Sequence, residues 1–141
     1  LQQVGMDEVV SRGIAATAEY RQASVLAGIS MGVCPAFKAA QTVPAFRACI
    51  AMSAALPLNA YAPLWMPHVA LQVHLATEDP WVKDEDLPRA RSYAASAEEP
   101  DNPADLFEYD TAGHLFMDSS TEDYDEALTD LTVQRIHELL R

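Results

Sequence analysis

The chain has 141 residues, half of them hydrophobic, and a formal net charge of −12 at pH 7. This length predicts one domain, residues 1–141, and the apolar content argues against disorder of the whole chain. The negative charge disfavours nucleic acid and anionic membrane surfaces as partners, because both would repel the protein. No apolar run reaches the roughly 18 residues that span a bilayer, so no membrane partner is expected.

The two cysteines, Cys34 and Cys49, are too few for a disulfide framework, and both lie among apolar residues. We therefore expect reduced thiols in a cytoplasmic protein, with Cys34 in the core. Neither the cysteines nor any pair of histidines has the spacing of metal ligands, so no metal site is predicted. The acidic clusters at 84–86, 98–101 and 122–126 are interpreted as solvated loops and helix starts.

The hydrophobic pattern alternates between helical and extended periodicity along the chain. The predicted elements are a helix over 1–20, a strand over 24–30, a helix over 31–42, strands over 47–55 and 69–76, a helix over 84–97, a strand over 104–109 and a helix over 121–140 with Ser120 as its N-cap. The strands are almost continuously apolar, which is typical of a mostly parallel sheet covered by helices on both faces. The predicted fold class is α/β.

A Gly-x-Ser-x-Gly pattern lies between the first predicted strand and the helix that follows, over Gly28-Ile29-Ser30-Met31-Gly32. This pattern is typical of a nucleophile elbow, in which a sharp turn holds a serine in a strained backbone conformation. The glycines at 28 and 32 are expected to allow close approach of neighbouring backbone. Ser30 is therefore a candidate nucleophile, and the backbone N–H of Met31 is a candidate oxyanion donor.

A serine nucleophile needs a histidine to accept its proton and an acid to orient that histidine. In a parallel sheet such groups follow the carboxyl ends of strands. Asp79 follows the third predicted strand and is the candidate acid, with Glu78 as the competing carboxylate. His114 follows the fourth strand and is the candidate base. The remaining histidines fit less well. His68 precedes a strand, His74 lies inside one and His137 lies deep in the last helix.

Three segments carry a resemblance to a known family: Gly28-Ile29-Ser30-Met31-Gly32, Glu78-Asp79-Pro80-Trp81-Val82 and Tyr109-Asp110-Thr111-Ala112-Gly113-His114-Leu115-Phe116. Together they resemble the dienelactone hydrolases. The resemblance implies an α/β-hydrolase fold, with Ser30 as nucleophile, Asp79 as orienting acid and His114 as general base. It also implies a small carboxylic ester or lactone as substrate, and no cofactor. The dienelactone hydrolases proper carry cysteine at the elbow, whereas many of their relatives carry serine, as this chain does.

The resemblance covers only the later part of the family's domain. The first strands and the loop that would donate the second oxyanion N–H have no counterpart here, so we expect a C-terminal portion of an α/β-hydrolase domain. The strand before Ser30 would then form an exposed apolar sheet edge.

Two other interpretations of the chain stay open. One is a non-catalytic binding protein or inactive fragment that keeps the triad, and the other is a thiol-dependent enzyme that uses Cys34 or Cys49. Three aromatic residues are candidates for lining a substrate pocket, with ordinary packing as the alternative: Trp65, Trp81 and Phe116.

Overall fold

Four parallel strands form the centre of the structure, a computed structural model that describes residues 4–20, 25–96 and 104–141. The helices are α1 (Met6–Thr17), α2 (Val33–Thr42), α3 (Asp86–Ala95) and α4 (Glu126–Leu140). The strands are β1 (Val25–Ile29), β2 (Ala48–Met52), β3 (Ala70–Ala76) and β4 (Ala104–Tyr109). They lie in the order β1-β2-β3-β4, and each neighbouring pair is parallel. The prediction of an α/β fold with a parallel sheet is confirmed.

The side chains of β3 alternate between two helical layers, as successive residues of a strand must. Leu71, Val73 and Leu75 belong to the main core, which also holds Phe37 of α2 and Leu87 of α3. On the opposite face, the Gln72 side chain donates to the carbonyl oxygen of Arg135 in α4, at 3.2 Å. Helices therefore lie on both faces of the sheet, as predicted.

The register of the sheet brings the carboxyl ends of all four strands to one edge. Ile29 pairs with Met52, Met52 pairs with His74, and Ala76 pairs with Tyr109. The segments that leave these strands therefore meet at this edge, where ligands of parallel α/β sheets bind. The polar residues placed there include Ser30, Ser53, Asp79 and His114.

The last helix begins later than the sequence pattern predicted, at Glu126 instead of Thr121. Its N-cap is Asp125, whose side chain accepts from the Leu128 N–H at 2.9 Å. The prediction of Ser120 as the cap is wrong, because the N–H and hydroxyl of Ser120 both donate to the Asp118 carboxylate, at 2.9 and 2.6 Å. Serine and aspartate form such local bonds in turns, and these compete with helix formation.

The bounds of several other helices and strands differ from the predicted ones by a few residues. The helix predicted over 1–20 is α1 followed by a 3₁₀ turn at Ala18–Tyr20, and a second 3₁₀ turn at Ser30–Gly32 precedes α2. The strand predicted over 47–55 already ends at Met52, and the helix predicted over 84–97 spans only α3. Residues 1–3, Ser24, Ala97 and the acidic cluster at 98–101 lie outside the described residues.

β1 lies at the edge of the sheet formed by the described strands, with β2 as its neighbour. Its side chains are covered on one face only: Leu26 is buried, whereas Ile29 is 46% exposed. Among the described helices, none combines the length and the apolar character that a membrane crossing requires.

Candidate active site

Ser30 lies in a sharp turn between β1 and α2, and its φ is 51°. Left-handed backbone is costly for a residue with a side chain, so the predicted strain at this serine is confirmed. Gly28 is also needed, because a Cβ at that position would lie 2.4 Å from the Gly32 carbonyl oxygen. The same expectation for Gly32 is wrong: its backbone is right-handed helical, and a Cβ there would meet nothing within 4 Å.

Hydrogen bonds join Ser30, His114 and Asp79 into a continuous chain. The Ser30 Oγ lies 2.8 Å from His114 Nε2, and His114 Nδ1 lies 2.6 Å from Asp79 Oδ2. A carboxylate only accepts, so the Nδ1–H of His114 donates to Asp79. The lone pair of Nε2 is then left to accept the proton of the Ser30 hydroxyl. The competing carboxylate, Glu78, is exposed, whereas Asp79 is buried.

The carboxylate of Asp79 is fully buried just beyond the end of β3. Its second oxygen, Oδ1, accepts from the Trp81 N–H at 2.9 Å, so both oxygens have partners. The Asp79 carbonyl accepts from the N–H groups of Val82 and Lys83, at 3.2 and 3.0 Å. The bonds to Oδ1 and Oδ2 satisfy a carboxylate whose burial would otherwise be costly. Together with the bonds to the Asp79 carbonyl, they hold Oδ2 toward His114.

The loop that carries His114 is held to the neighbouring segments by backbone hydrogen bonds. The N–H of Glu78 donates to the carbonyl of Thr111 at 3.0 Å, so the acid loop and the histidine loop run together. On the far side, the N–H of Leu115 donates to the Asp123 carboxylate at 3.1 Å. The His114 side chain itself is 20% exposed, which leaves it accessible beside Ser30.

Ser53 is a site residue that the sequence pattern does not identify, because it lies inside the strand predicted over 47–55. In the structure it follows β2 with a φ of 59° and is buried. Its N–H donates to the His74 carbonyl at 3.0 Å, and its hydroxyl donates to the His114 carbonyl. The only sequence signal is a polar residue at the carboxyl end of an apolar strand.

Among the described residues, two neighbouring clefts open at the site, each with a volume of about 250 Å³. The first, here called the serine cleft, is open to solvent and contains Ser30, Met31 and His114. Its remaining lining residues are Met6, Cys34, Ser53, Ala54, Trp81, Val82 and Asp86. The second, here called the side cleft, is more enclosed and is lined by Ile29, Met52, Ser53, Leu115, Met117, Asp118 and Ser119.

Of the three aromatic candidates, Trp81 is the one found in the lining of the two described clefts. It is 80% exposed, and its ring centroid lies 6.0 Å from that of His114. Trp65 instead packs edge-on against Phe37, with centroids 5.1 Å apart, and donates to the Val69 carbonyl. Phe116 is buried, and its ring centroid lies 4.9 Å from that of Tyr109. Trp65 and Phe116 therefore serve packing.

The two cysteines occupy different environments, and both are free thiols. Cys49 is buried in the core, and this burial raises its pKa to about 12, which disfavours the reactive thiolate. The expectation of a core position for Cys34 is wrong, since it is only partly buried and lines the serine cleft. It lies in the first turn of α2, directly beyond the elbow, and this placement brings it to the cleft.

The other histidines lie away from the site. His74 is buried inside β3, where Nε2 lies 2.9 Å from Gln72 Oε1 and Nδ1 lies 2.7 Å from the Tyr109 hydroxyl. Burial and the nearby Arg135 guanidinium lower the pKa of His74 to about 3, so the ring is neutral. His68 and His137 are exposed. Among residues 4–20, 25–96 and 104–141, no three His, Cys, Asp or Glu side chains are grouped to hold a metal ion.

Comparison with known proteins adds no assignment: no family model matches the chain, and no curated protein matches it in a sequence search. The chemistry of the site therefore rests on the fold and on the geometry of the residues at the carboxyl edge of the sheet.

Proposed function

We propose that this chain has an α/β-hydrolase fold and is a serine hydrolase of the dienelactone hydrolase type. It would cleave small carboxylic esters or lactones through an acyl-enzyme. The observation that carries the proposal is the hydrogen-bonded chain from Ser30 through His114 to Asp79, with Oγ–Nε2 and Nδ1–Oδ2 distances of 2.8 and 2.6 Å. A nucleophile, a base and an orienting acid in these relative positions are the requirement for activating a serine hydroxyl.

In the first half of the reaction, the Ser30 Oγ attacks the carbonyl carbon of the ester, and its proton passes to His114 Nε2. The negative charge that develops on the carbonyl oxygen is stabilised by the backbone N–H of Met31. The imidazolium is stabilised by the buried Asp79 carboxylate. The bond to the alcohol oxygen then breaks, the proton moves from Nε2 to that oxygen, and the acyl group remains on Ser30.

In the second half, a water molecule takes the place of the departed alcohol. His114 Nε2 accepts a proton from this water, whose oxygen attacks the acyl carbon. The bond to Oγ breaks, Ser30 recovers its proton from the imidazolium, and the carboxylic acid leaves. Atoms and charges balance with water as the only co-reactant.

The experiment that tests this proposal is the hydrolysis of 4-nitrophenyl acetate by the purified, folded protein and by two variants. His114→Ala removes the base, and we expect kcat to fall about 10⁴-fold or more. His68→Ala removes an exposed imidazole that lines neither of the two clefts and controls for non-specific hydrolysis by surface histidines. Equal turnover by His114→Ala and the unaltered protein would contradict the proposal, and absence of turnover in all three would favour a binding protein.

A further inference from the structure

We propose that the side cleft holds the acyl group of the substrate, and that it selects short, uncharged acyl groups over those that carry a carboxylate. This inference rests on the proposed ester hydrolysis at Ser30. It names the substrate class that the site would take.

The side cleft is lined by a chain neighbour of each reacting residue and shares Ser53 with the serine cleft. Ile29 directly precedes the nucleophile Ser30, and Leu115 directly follows the base His114. Ser53, which binds the His114 carbonyl, lines both clefts and forms the border between them. An ester whose carbonyl carbon lies at the Ser30 Oγ can therefore place one of its two organic groups in the side cleft.

The chemistry of the two steps distinguishes the acyl group from the alcohol. The alcohol leaves from beside His114 Nε2, and the hydrolytic water must arrive at the same place to give its proton to the same nitrogen. This exchange requires the open serine cleft, which contains Ser30 and His114. The acyl group stays bonded to Ser30 through both steps and needs no exit until the end. It therefore fits the more enclosed side cleft.

The lining of the side cleft suits an aliphatic chain of limited length. Ile29, Met52, Leu115 and Met117 are its apolar walls. Its volume of about 250 Å³ is below the range of about 300–1,000 Å³ that is typical of drug-sized ligand pockets. Methionine side chains adapt to irregular shapes, so related short acyl groups can fit the same walls.

The charges at the site oppose an anionic acyl group. Asp118 is the charged residue among the described lining of the side cleft. Hydrogen bonds from the Ser120 hydroxyl and N–H lower its pKa, so its carboxylate stays ionised near neutrality. The described lining of both clefts includes neither lysine nor arginine. Asp86, in the serine cleft, is already paired with Arg89 at 2.8 Å. A substrate carboxylate would thus face like charge without a cationic partner.

Two matched methyl esters test this selectivity with the full chain. Methyl butyrate and monomethyl succinate have the same methanol leaving group, and they differ in a terminal methyl or carboxylate on the acyl chain. At low ionic strength, where screening is weak, we expect kcat/KM for methyl butyrate to be higher by about tenfold or more. The readout is the succinate-to-butyrate ratio of kcat/KM, which cancels general losses of activity.

Asp118→Asn keeps an oxygen that can accept the Ser120 hydrogen bonds and removes the charge, so we expect the ratio to rise about fivefold. Ser119→Lys, which places a cation at the same cleft, should raise it further. Asp130→Asn removes an equal charge from the exposed face of α4 and should leave the ratio unchanged.

The outcomes separate the two proposals. A ratio near one, or a ratio that neither Asp118→Asn nor Ser119→Lys changes, would overturn the acyl assignment while ester hydrolysis stands. If the folded protein cleaves 4-nitrophenyl acetate but neither methyl ester, the acyl assignment is overturned and ester hydrolysis stands. Failure to cleave any of the three esters would overturn the proposed function and the acyl assignment with it.

Discussion

The hydroxyl of Ser53 donates a hydrogen bond to the backbone carbonyl of His114, across 61 positions of sequence. This bond ties the end of β2 to the loop that carries the histidine. Ser53 itself is held by its N–H on the His74 carbonyl of β3 and has a left-handed backbone with a φ of 59°. The position of the imidazole beside Ser30 therefore depends on the sheet as well as on the acid that binds its Nδ1.

Two substitutions distinguish the effect of the Ser53 hydroxyl on activity from the effect of its backbone strain on stability. Ser53→Ala and Ser53→Gly both remove the bond to His114, and we expect kcat to fall about tenfold in each, with KM little changed. Glycine accepts a positive φ, so Ser53→Gly should be more stable than Ser53→Ala by about 1 kcal/mol in urea unfolding. Recovery of full kcat in the glycine variant would show that the hydroxyl has no positioning role.

The acid has a matched control in the adjacent residue. Asp79→Asn replaces the acceptor of the His114 Nδ1–H with an amide, which can stabilise the wrong tautomer of the ring. By analogy with the serine-protease triad, we expect kcat to fall about 10⁴-fold. Glu78→Gln changes an exposed carboxylate and should leave kcat at its original value. Comparable losses in both variants would exclude a specific role for Asp79.

The elbow also offers a matched pair of glycines. A Cβ at Gly28 would lie 2.4 Å from the Gly32 carbonyl oxygen, so Gly28→Ala must displace backbone in the turn that holds Ser30. We expect it to lower stability by about 1–3 kcal/mol and to reduce ester hydrolysis sharply. Gly32→Ala enters open space in a right-handed helical conformation and should not lower stability. Equal losses of stability in both would contradict the steric account.

The buried His74 should make the free energy of unfolding depend on pH in the acid range. Its pKa is lowered from 6.5 to about 3 in the folded protein, so below pH 6.5 the unfolded chain binds a proton that the native state does not. The free energy of unfolding therefore falls as the pH falls through this range, by up to about 1.4 kcal/mol per pH unit. His74→Asn should make this slope shallower by that amount between about pH 6 and pH 4.

The control for this measurement is His68→Asn, which removes an exposed imidazole. Urea unfolding at a series of pH values gives the slope for each protein. A slope in His74→Asn as steep as that in the control would contradict the buried, neutral state of His74.

The spatial grouping of Ser30, Asp79 and His114 was predictable because it depends on chain order and strand type. Continuous apolar runs predict parallel strands, and parallel strands bring the segments after them to one edge. The elbow pattern predicted the steric need for glycine at Gly28 but wrongly extended it to Gly32, because the pattern does not show which of the two faces backbone.

Features that depend on distant contacts could not be predicted. Ser53 lies in an apolar run that continues to Ala55, and nothing local shows that the strand ends at Met52. Trp65 contacts Phe37 of α2, which the sequence pattern does not place beside it. The start of α4 was predicted too early because the Asp125 N–H donates to the distant Phe116 carbonyl while its side chain caps the helix at Leu128.

The central claim is that His114 and Asp79 activate Ser30 as a nucleophile. The most direct measurement is the reaction of the folded protein with a fluorophosphonate probe, followed by mass spectrometry of the labelled peptide. We predict a single adduct on Ser30, lost in His114→Ala and retained in Cys34→Ala, which removes the thiol of the serine cleft without adding bulk. Folded protein that takes up no label, or label that remains when Ser30 is replaced by alanine, would contradict the account.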